Sequence, residues 1–353
     1  MRRFVIIAGV DYERNGVNFR IFADNRVKRL VATNTAKEDL TFQVFDVRTG
    51  SVVTRAVTYP GGKKTEKVAA VTPFTPVAPT HYNRLGSGTD VHYELRDGIR
   101  GLMSVTDVYA AVQTIGRDDP GTLRELSFFS HAWHGGPILI NSFDDGIVTG
   151  PPLSVGGPPT RTSVGAARDP DDFDPRPAKD FTPPTMTTAE LAEFRAAFHT
   201  AGIGWSWGCA FPRTIHEILH KLEQHRDYRR SGLADSTKLV FTNFRADHIG
   251  ELTTTLGLAV PDPKRVELTF GDLRRYFCLR TMDSYSHHLA VAADRIVFAG
   301  PIGTYSEYDT GPRPLMHVHD GFARHFTFYA NYLGFTYDPE GRHYGAFLPT
   351  FTC

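Results

Sequence analysis

The sequence predicts an α/β fold, a three-layer sandwich in which helices cover both faces of a mainly parallel central sheet. Short apolar runs, which are typical of buried strands, occur at residues 4–10, 126–133 and 203–209. Segments with helical periodicity separate these runs along the chain. Strands that alternate with helices indicate a parallel sheet, because a crossover helix returns the chain to the edge where the next strand begins.

The length and charge of the chain limit the classes of function. The chain has 353 residues, and we predict that residues 1–353 form a single domain. Its 39 basic and 39 acidic residues balance, so it lacks the excess positive charge that favours nucleic-acid binding. No apolar run approaches the length that spans a bilayer. We therefore expect neither nucleic acid nor a membrane as a partner.

The cysteine pattern predicts a reducing compartment. Cys209, Cys278 and Cys353 are odd in number and widely spaced, and they contain no CxxC pair. Neither a disulfide framework nor a cysteine-rich zinc site is expected from this pattern. The N-terminal apolar run at residues 4–10 is too short for a signal peptide and reads as a first strand. These features predict a cytoplasmic protein with three free thiols.

The first half of the chain alternates strands and helices. After the strand at residues 4–10, a helix and a second strand at residues 40–47 follow. Ser104 and Asp107 form a capping box, which marks the start of the next helix. A third strand follows at residues 126–133. The apolar positions of the two helices are Phe19, Phe22, Ala23, Val27 and Leu30 in the first, and Val105, Val108, Val112 and Ile115 in the second.

Residues 147–186 interrupt this alternation. Nine of the 23 prolines fall in this segment, so we predict an irregular insertion rather than a second domain. A capping box at Thr187 and Glu190 then opens a helix that leads into the strand at residues 203–209. The pattern predicts a further helix and two further strands. Their positions are Ile215, Ile218, Leu219 and Leu222 for the helix, and residues 238–244 and 295–299 for the strands.

Two of the predicted strands end in residues suited to nucleophilic catalysis. One ends at His131 and His134, and the other ends at Cys209. Functional groups collect at the carboxyl edge of a parallel sheet, so these side chains are candidates for one site. A thiolate that attacks a carbonyl needs an imidazole and backbone N–H groups for the oxyanion. The helix after Cys209 is expected to lower the pKa of its thiol.

Glycines beside these residues are candidates for the oxyanion site. Gly135 and Gly136 follow the histidines, and Gly208 precedes the cysteine. Glycine allows a backbone N–H to approach a substrate closely because it has no side chain.

This arrangement resembles the caspase-like cysteine peptidases, which include caspases, metacaspases, legumain and gingipain-type enzymes. In that family an apolar strand leads into a His-Gly turn, and the next helix and strand lead to the catalytic cysteine. Here "LSFFSHAWHGG" and "GIGWSWGCAF" occupy those two places. The resemblance covers about residues 4–11, 104–145 and 187–240. It implies a caspase-like fold, a His/Cys dyad, a peptide or protein substrate and no cofactor.

The resemblance does not decide which of two histidines is the base. The position of the strand end favours His131, whereas the His-Gly dipeptide favours His134. We prefer His131. A glycine turn after the strand at residues 295–299 is expected at the same sheet edge. It adds three candidates for a substrate pocket, which are Thr304, Tyr305 and Glu307.

A competing motif predicts zinc chemistry. His216, Glu217 and His220 match the HExxH pattern, in which two histidines on one helical face bind zinc and the glutamate acts as base. A third ligand would have to come from residues further along the chain. The candidates for it are His225, Asp247, His248 and Glu251. The apolar positions of the same helix also explain it as a packing element.

The sequence therefore supports three hypotheses. The first is a caspase-like cysteine hydrolase that acts on peptides through His131 or His134 and Cys209. The second is an HExxH zinc-dependent hydrolase, and the third is an inactive caspase-like scaffold that holds a binding partner.

Overall fold

A large sheet forms the centre of the computed structural model. The structure describes the chain except for residues 88–90, 97–98, 100, 141–146, 151–159, 164–177, 211–212, 225–227, 229–231, 243–245 and 259–264. The strands are β1 Arg2–Ala8, β2 Leu40–Asp46, β3 Ser51–Thr58, β4 Thr65–Val71, β5 Tyr82–Leu85, β6 His92–Leu95, β7 Leu123–Phe129, β8 His131–Trp133, β9 Gly136–Ile138, β10 Ile147–Gly150, β11 Thr160–Ser163, β12 Phe198–Ser206, β13 Lys238–Thr242, β14 Arg265–Thr269, β15 Val297–Ala299, β16 Ser306–Tyr308, β17 Met316–Val318 and β18 Gly345–Phe347. The helices are α1 Phe19–Ala32, α2 Val105–Asp118, α3 Thr188–Ala197, α4 Arg213–Glu223, α5 Ala246–Leu256, α6 Phe270–Met282, α7 Tyr285–Ala293 and α8 Ala323–Leu333.

The central sheet is mainly parallel, as the sequence predicts. Its eight strands lie in the order β18-β15-β12-β7-β1-β2-β3-β4. The five strands from β15 to β2 are mutually parallel. Antiparallel strands complete both edges, with β18 on β15 at one side and the β3–β4 hairpin at the other. The predicted neighbours β7 and β12 are paired, which confirms that the two candidate strands lie side by side.

Both faces of the sheet are covered, because alternate side chains of β1 enter two different cores. Val5 and Ile7 belong to the core that contains α2 and α3 residues. Phe4 and Ile6 belong to the opposite core, which contains the apolar face of α1 and the rings of Trp205 and Trp207. The period of two in a strand and of 3.6 in a helix produces this segregation.

Helix starts agree with the predicted caps. The Ser104 side chain accepts a hydrogen bond from the backbone of α2, and Asp107 reaches back to the Ser104 N–H at 2.7 Å. Thr187 and Glu190 form the same reciprocal pair at the start of α3, with 2.7 Å from Thr187 N to the carboxylate. Each box satisfies backbone donors that a helix end otherwise leaves unpaired.

The structure adds detail to two predictions about the second half of the chain. The strand predicted at residues 238–244 is present as β13, and it pairs with β14 in an antiparallel sheet separate from the central one. The segment 147–186 is not irregular throughout, since β10 pairs with β11. Its C-terminal part enters the core, where Phe181 and Met186 are buried and Asp180 accepts a hydrogen bond from Tyr109. Apolar side chains in this Pro-rich segment drive that packing despite its composition.

The cysteine prediction needs correction as well. Cys278 on α6 and Cys353 form a disulfide across 75 residues, and Cys209 alone is a free thiol. Wide spacing in sequence did not prevent the pairing, because their Cα atoms are 5.6 Å apart in the fold. The expectation of three free thiols in a reducing compartment is therefore weakened.

Within the described part of the chain, no helix is long and apolar enough to cross a membrane.

Candidate functional site

Two stacked aromatic rings bring the ends of β7 and β12 together. Phe129 and Trp207 lie at the carboxyl ends of these neighbouring strands, with ring centroids 5.0 Å apart and planes nearly parallel. The backbone N–H of Trp207 donates to the carbonyl of Phe128, which continues the parallel register beyond β12. Each strand is followed by a bend, at Ser130 after β7 and at Gly208 after β12. His131 and Cys209 are the residues that come directly after these two bends.

Close backbone contact at Gly208 fixes this alignment. A Cβ added at Gly208 would lie 2.4 Å from the Cβ of Ala132 and 2.7 Å from the carbonyl oxygen of Ser130. The backbone before Cys209 therefore passes directly against the residues on either side of His131. This position was predicted as an oxyanion candidate, but the structure gives it a packing reason for being glycine.

Asp11 at the end of β1 holds the imidazole of His131. Nε2 of His131 lies 3.0 Å from a carboxylate oxygen of Asp11, and the other oxygen accepts from the Val17 N–H. The ring also contacts Tyr12 and Phe19, with centroids 4.8 and 5.1 Å away. Burial alone would raise the pKa of Asp11, but the hydrogen bonds from His131 and Val17 outweigh it and lower this pKa.

The sulfur of Cys209 is enclosed by the loop that begins β16. The Ser306 N–H donates to Sγ at 3.4 Å, and the Ser306 hydroxyl donates to the Gly208 carbonyl at 2.9 Å. Tyr344 adds a third contact, donating to the Trp207 carbonyl at 2.6 Å. Together these bonds hold the peptide units on both sides of Gly208.

The expected depression of the Cys209 pKa is wrong. Burial raises the pKa of this thiol, the Ser306 N–H lowers it, and the negative charge of Glu13 raises it further. Desolvation penalises the thiolate more than the single N–H of Ser306 offsets. Within the described residues, Sγ bonds to Ser306 N–H and has no hydrogen bond to His131. A raised pKa favours the protonated thiol over the thiolate.

A buried charge network lies beneath the site, on the same face of the sheet. The guanidinium of Arg26 makes two hydrogen bonds of 2.8 and 2.7 Å to Glu125 on β7. It stacks over the rings of Trp205 and Trp207, 5.4 Å from each centroid. Ser127 joins the carboxylate to the indole N–H of Trp207. The network therefore fixes the ring one pleat before Cys209.

His134 belongs to a different cluster. Its Nε2 lies 2.8 Å from Arg280 on α6, and Arg280 pairs with Glu251 on α5 at 3.2 Å. Burial and the positive charge of Arg280 lower the pKa of His134 to about 4, and Glu251 opposes this effect. Between the two predicted histidines, the structure therefore associates His131, and not His134, with a carboxylate partner at the strand ends.

His134 and Gly135 form the turn of the β8–β9 hairpin, and Gly136 is the first residue of β9. Gly136 has a φ of 136°, which favours glycine, and its position lies under Tyr285. A Cβ added there would meet the tyrosine ring at 3.0 Å. Packing thus explains Gly136, and both glycines are buried.

Two of the three predicted pocket residues remain accessible. Thr304 is buried and its hydroxyl donates to the Pro301 carbonyl, so it supports the loop and does not line an open pocket. Tyr305 is 41% exposed and lies against His319 and Phe322. Glu307 pairs with His317 at 3.0 Å. The two residues flank Ser306, whose N–H donates to Sγ.

The HExxH motif, residues 216–220, lies on α4. His220 is exposed and its Nε2 lies 3.2 Å from the Gln224 amide, and Glu217 is half-buried. The side chains of His216, Asp247 and His248 and all of His225 lie outside the described part of the chain. The fourth candidate ligand, Glu251, pairs with Arg280 and Tyr276. Among the described residues, no three His, Cys, Asp or Glu side chains are grouped to hold a metal.

A cleft opens beside Asp11. It has a volume of about 190 Å³ and is lined by Asp11, Tyr12, Arg14, Arg48 and Tyr82 among others. Asp11 and Tyr12, which line this cleft, also contact His131, so one wall of the cleft borders the candidate site.

Sequence reasoning missed Asp11, Ser306 and Tyr344. Asp11 was detectable, because it ends the first strand at the same sheet edge as His131 and Cys209. Ser306 and Tyr344 carry no local signal, since they reach Cys209 only through long-range folding.

Comparisons of the chain with protein-family models, with curated proteins and with solved structures found no match.

Proposed function

We propose that this protein is a cysteine hydrolase of the caspase-like type, in which Cys209 is the nucleophile, His131 the base and Asp11 the residue that orients the base. Two observations support the proposal: the peptide before Cys209 contacts the residues on either side of His131, and Asp11 is hydrogen-bonded to His131. A nucleophile, a base and a group that orients the base are the three parts that covalent hydrolysis requires.

The order of the strands supports this proposal. The histidine follows β7 and the cysteine follows β12, its neighbour in a mainly parallel sheet. The same order underlies the resemblance of the sequence to caspase-like peptidases. A peptide or protein is therefore the proposed substrate, bound over the strand ends and reaching the cleft beside Asp11.

In the proposed reaction, Sγ of Cys209 attacks the carbonyl carbon of the scissile bond while its proton passes to His131. Asp11 holds Nε2–H, so Nδ1 is the nitrogen that receives the proton. The tetrahedral intermediate then expels the amine, which takes the proton back from His131. Water hydrolyses the thioester, releases the acid and restores the thiol.

The raised pKa of Cys209 affects the step at which its thiol loses the proton. A neutral thiol must lose its proton during the attack rather than before it, so transfer to His131 depends on substrate drawing the two residues together. Contacts of catalytic groups are often loose in an unliganded enzyme and tighten in the complex.

The test is hydrolysis of a mixture of fluorogenic peptide amides. Wild type is expected to turn over, and Cys209→Ala and His131→Ala are expected to lose turnover. The matched control is His220→Ala, which removes an exposed histidine and a ligand of the zinc alternative. Turnover that survives Cys209→Ala contradicts the proposal, and turnover abolished by a chelator and by His220→Ala supports the zinc hydrolase instead.

The inactive scaffold is the second candidate, and burial of the Cys209 thiol favours it. The scaffold hypothesis predicts that the protein hydrolyses no peptide. It also predicts that the Cys209→Ala variant binds a peptide partner as tightly as wild type does. Isothermal titration with the same peptides lacking the fluorophore distinguishes it from the hydrolase.

A further inference from the structure

A second cleft lies on the side of the molecule formed by α6, the end of α8 and the C-terminal segment. Its volume is about 350 Å³, within the range of small-molecule sites. Arg274, Arg275, Tyr332 and Phe351 line it. None of its lining residues belongs to the group around Cys209, so the inference does not depend on the proposed function.

The polar wall of this cleft is positively charged. Arg275 is exposed and has no carboxylate partner among the described residues. Arg274 pairs with Asp235 at 2.5 Å, but this pair is about half exposed, with 45% and 55% of the two side chains accessible. Exposed pairs contribute little free energy, so Arg274 can turn toward an incoming anion. Two guanidinium groups then face one ligand.

Two aromatic side chains, Tyr332 and Phe351, also line the cleft. Tyr332 packs against Phe270 with ring centroids 4.8 Å apart, and Phe351 packs against Phe335 at 5.6 Å. Neither ring can leave the cleft without losing these contacts. Gly334, whose φ is 71°, ends α8 at the floor without a side chain that would fill the space.

The disulfide holds one side of the cleft in place. Cys278 and Cys353 both line it, so their bond ties residues 351–353 to α6 as a wall. Phe351 is also held by its ring and by its N–H, which donates to the Leu348 carbonyl at 3.2 Å, whereas Thr352 and Cys353 are exposed. The disulfide is therefore the bond that fixes the end of this segment.

We propose that this cleft binds a small organic anion with a flat apolar body, and that the Cys278–Cys353 disulfide is needed to hold the site together. Guanidinium groups recognise carboxylate, sulfonate or phosphate oxygens, and the two rings receive the apolar part of the ligand. Binding is therefore sensitive both to the charge at Arg275 and to the redox state of the two cysteines.

The test uses two fluorescent probes that differ in one charged group. 8-Anilinonaphthalene-1-sulfonate carries an anion, and N-phenyl-1-naphthylamine has the same rings without it. Wild type is expected to bind the sulfonate at one saturable site. Arg275→Gln should weaken that binding about tenfold, and Arg275→Lys should restore part of it. Binding of the neutral probe should not change with either substitution.

The matched control is Arg313→Gln, which removes an exposed arginine outside the cleft. It should bind both probes as wild type does. Cys353→Ser is expected to weaken binding of both probes, because it frees the wall. Near-UV circular dichroism checks that each variant is folded, since loosely packed states also bind such probes. Wild-type affinity for the sulfonate in Arg275→Gln, or wild-type affinity for both probes in Cys353→Ser, overturns the proposal.

Discussion

Asp11 and His131 are 120 residues apart in sequence, and a hydrogen bond of 3.0 Å joins a carboxylate oxygen of Asp11 to Nε2 of His131. The bond sets the orientation of an imidazole that lies against Phe19 and next to the peptide before Cys209. A carboxylate on one ring nitrogen selects the tautomer whose other nitrogen accepts a proton.

Asp11→Asn is expected to lower turnover about tenfold to a hundredfold, because an amide does not enforce the same tautomer or stabilise the imidazolium. The ¹⁵N chemical shifts of the His131 ring report the tautomer independently of activity, and they should change in the variant. Asp24→Asn is the control, since it removes a partly exposed carboxylate of α1 that pairs with Arg20. If both the turnover and the ring chemical shifts stay unchanged, Asp11 does not orient His131.

The reactivity of Cys209 should depend strongly on pH. Burial raises the thiol pKa above its ordinary value, so thiolate is scarce near neutral pH and increases as the pH rises toward that pKa. Alkylation by iodoacetamide, followed by intact mass, should be slow near pH 7 and accelerate about tenfold for each unit above it. Rapid alkylation at neutral pH would mean that the thiol is activated in the free protein.

Gly208→Ala should destabilise the fold by about 2–4 kcal/mol, because its methyl group would overlap Ala132 and the Ser130 carbonyl. Urea unfolding measures the loss. Gly250→Ala on α5 is the matched control, since a Cβ there meets nothing within 4 Å. That substitution should leave stability unchanged or raise it by about 0.5–1 kcal/mol. Equal stability of the two variants would contradict the close approach of β7 and β12.

Arg26→Met should cost about 3–5 kcal/mol in unfolding free energy, because it leaves the buried Glu125 carboxylate without its partner. Arg26→Met combined with Glu125→Gln should recover part of this loss, since no buried charge then remains unpaired. A double-mutant cycle in urea measures the coupling. Additive losses would show that the two side chains do not interact.

The sequence determined the features that depend on local periodicity. Apolar runs and capping residues located β7, β12 and the starts of α2 and α3, since strand and helix periods are written into neighbouring residues. The glycine turn after His131 was likewise visible, although its role in packing under Tyr285 was not.

Only the tertiary structure decided which distant groups meet. It gave His131 a carboxylate partner and placed His134 with Arg280, although only two residues separate the two histidines. It joined Cys278 to Cys353. It also surrounded the Cys209 thiol with protein, and this burial raises the thiol pKa where the local pattern predicted a lower one, although the Ser306 N–H opposes the effect. Burial and long-range contacts depend on how all the layers pack, and a local sequence pattern carries no record of that packing.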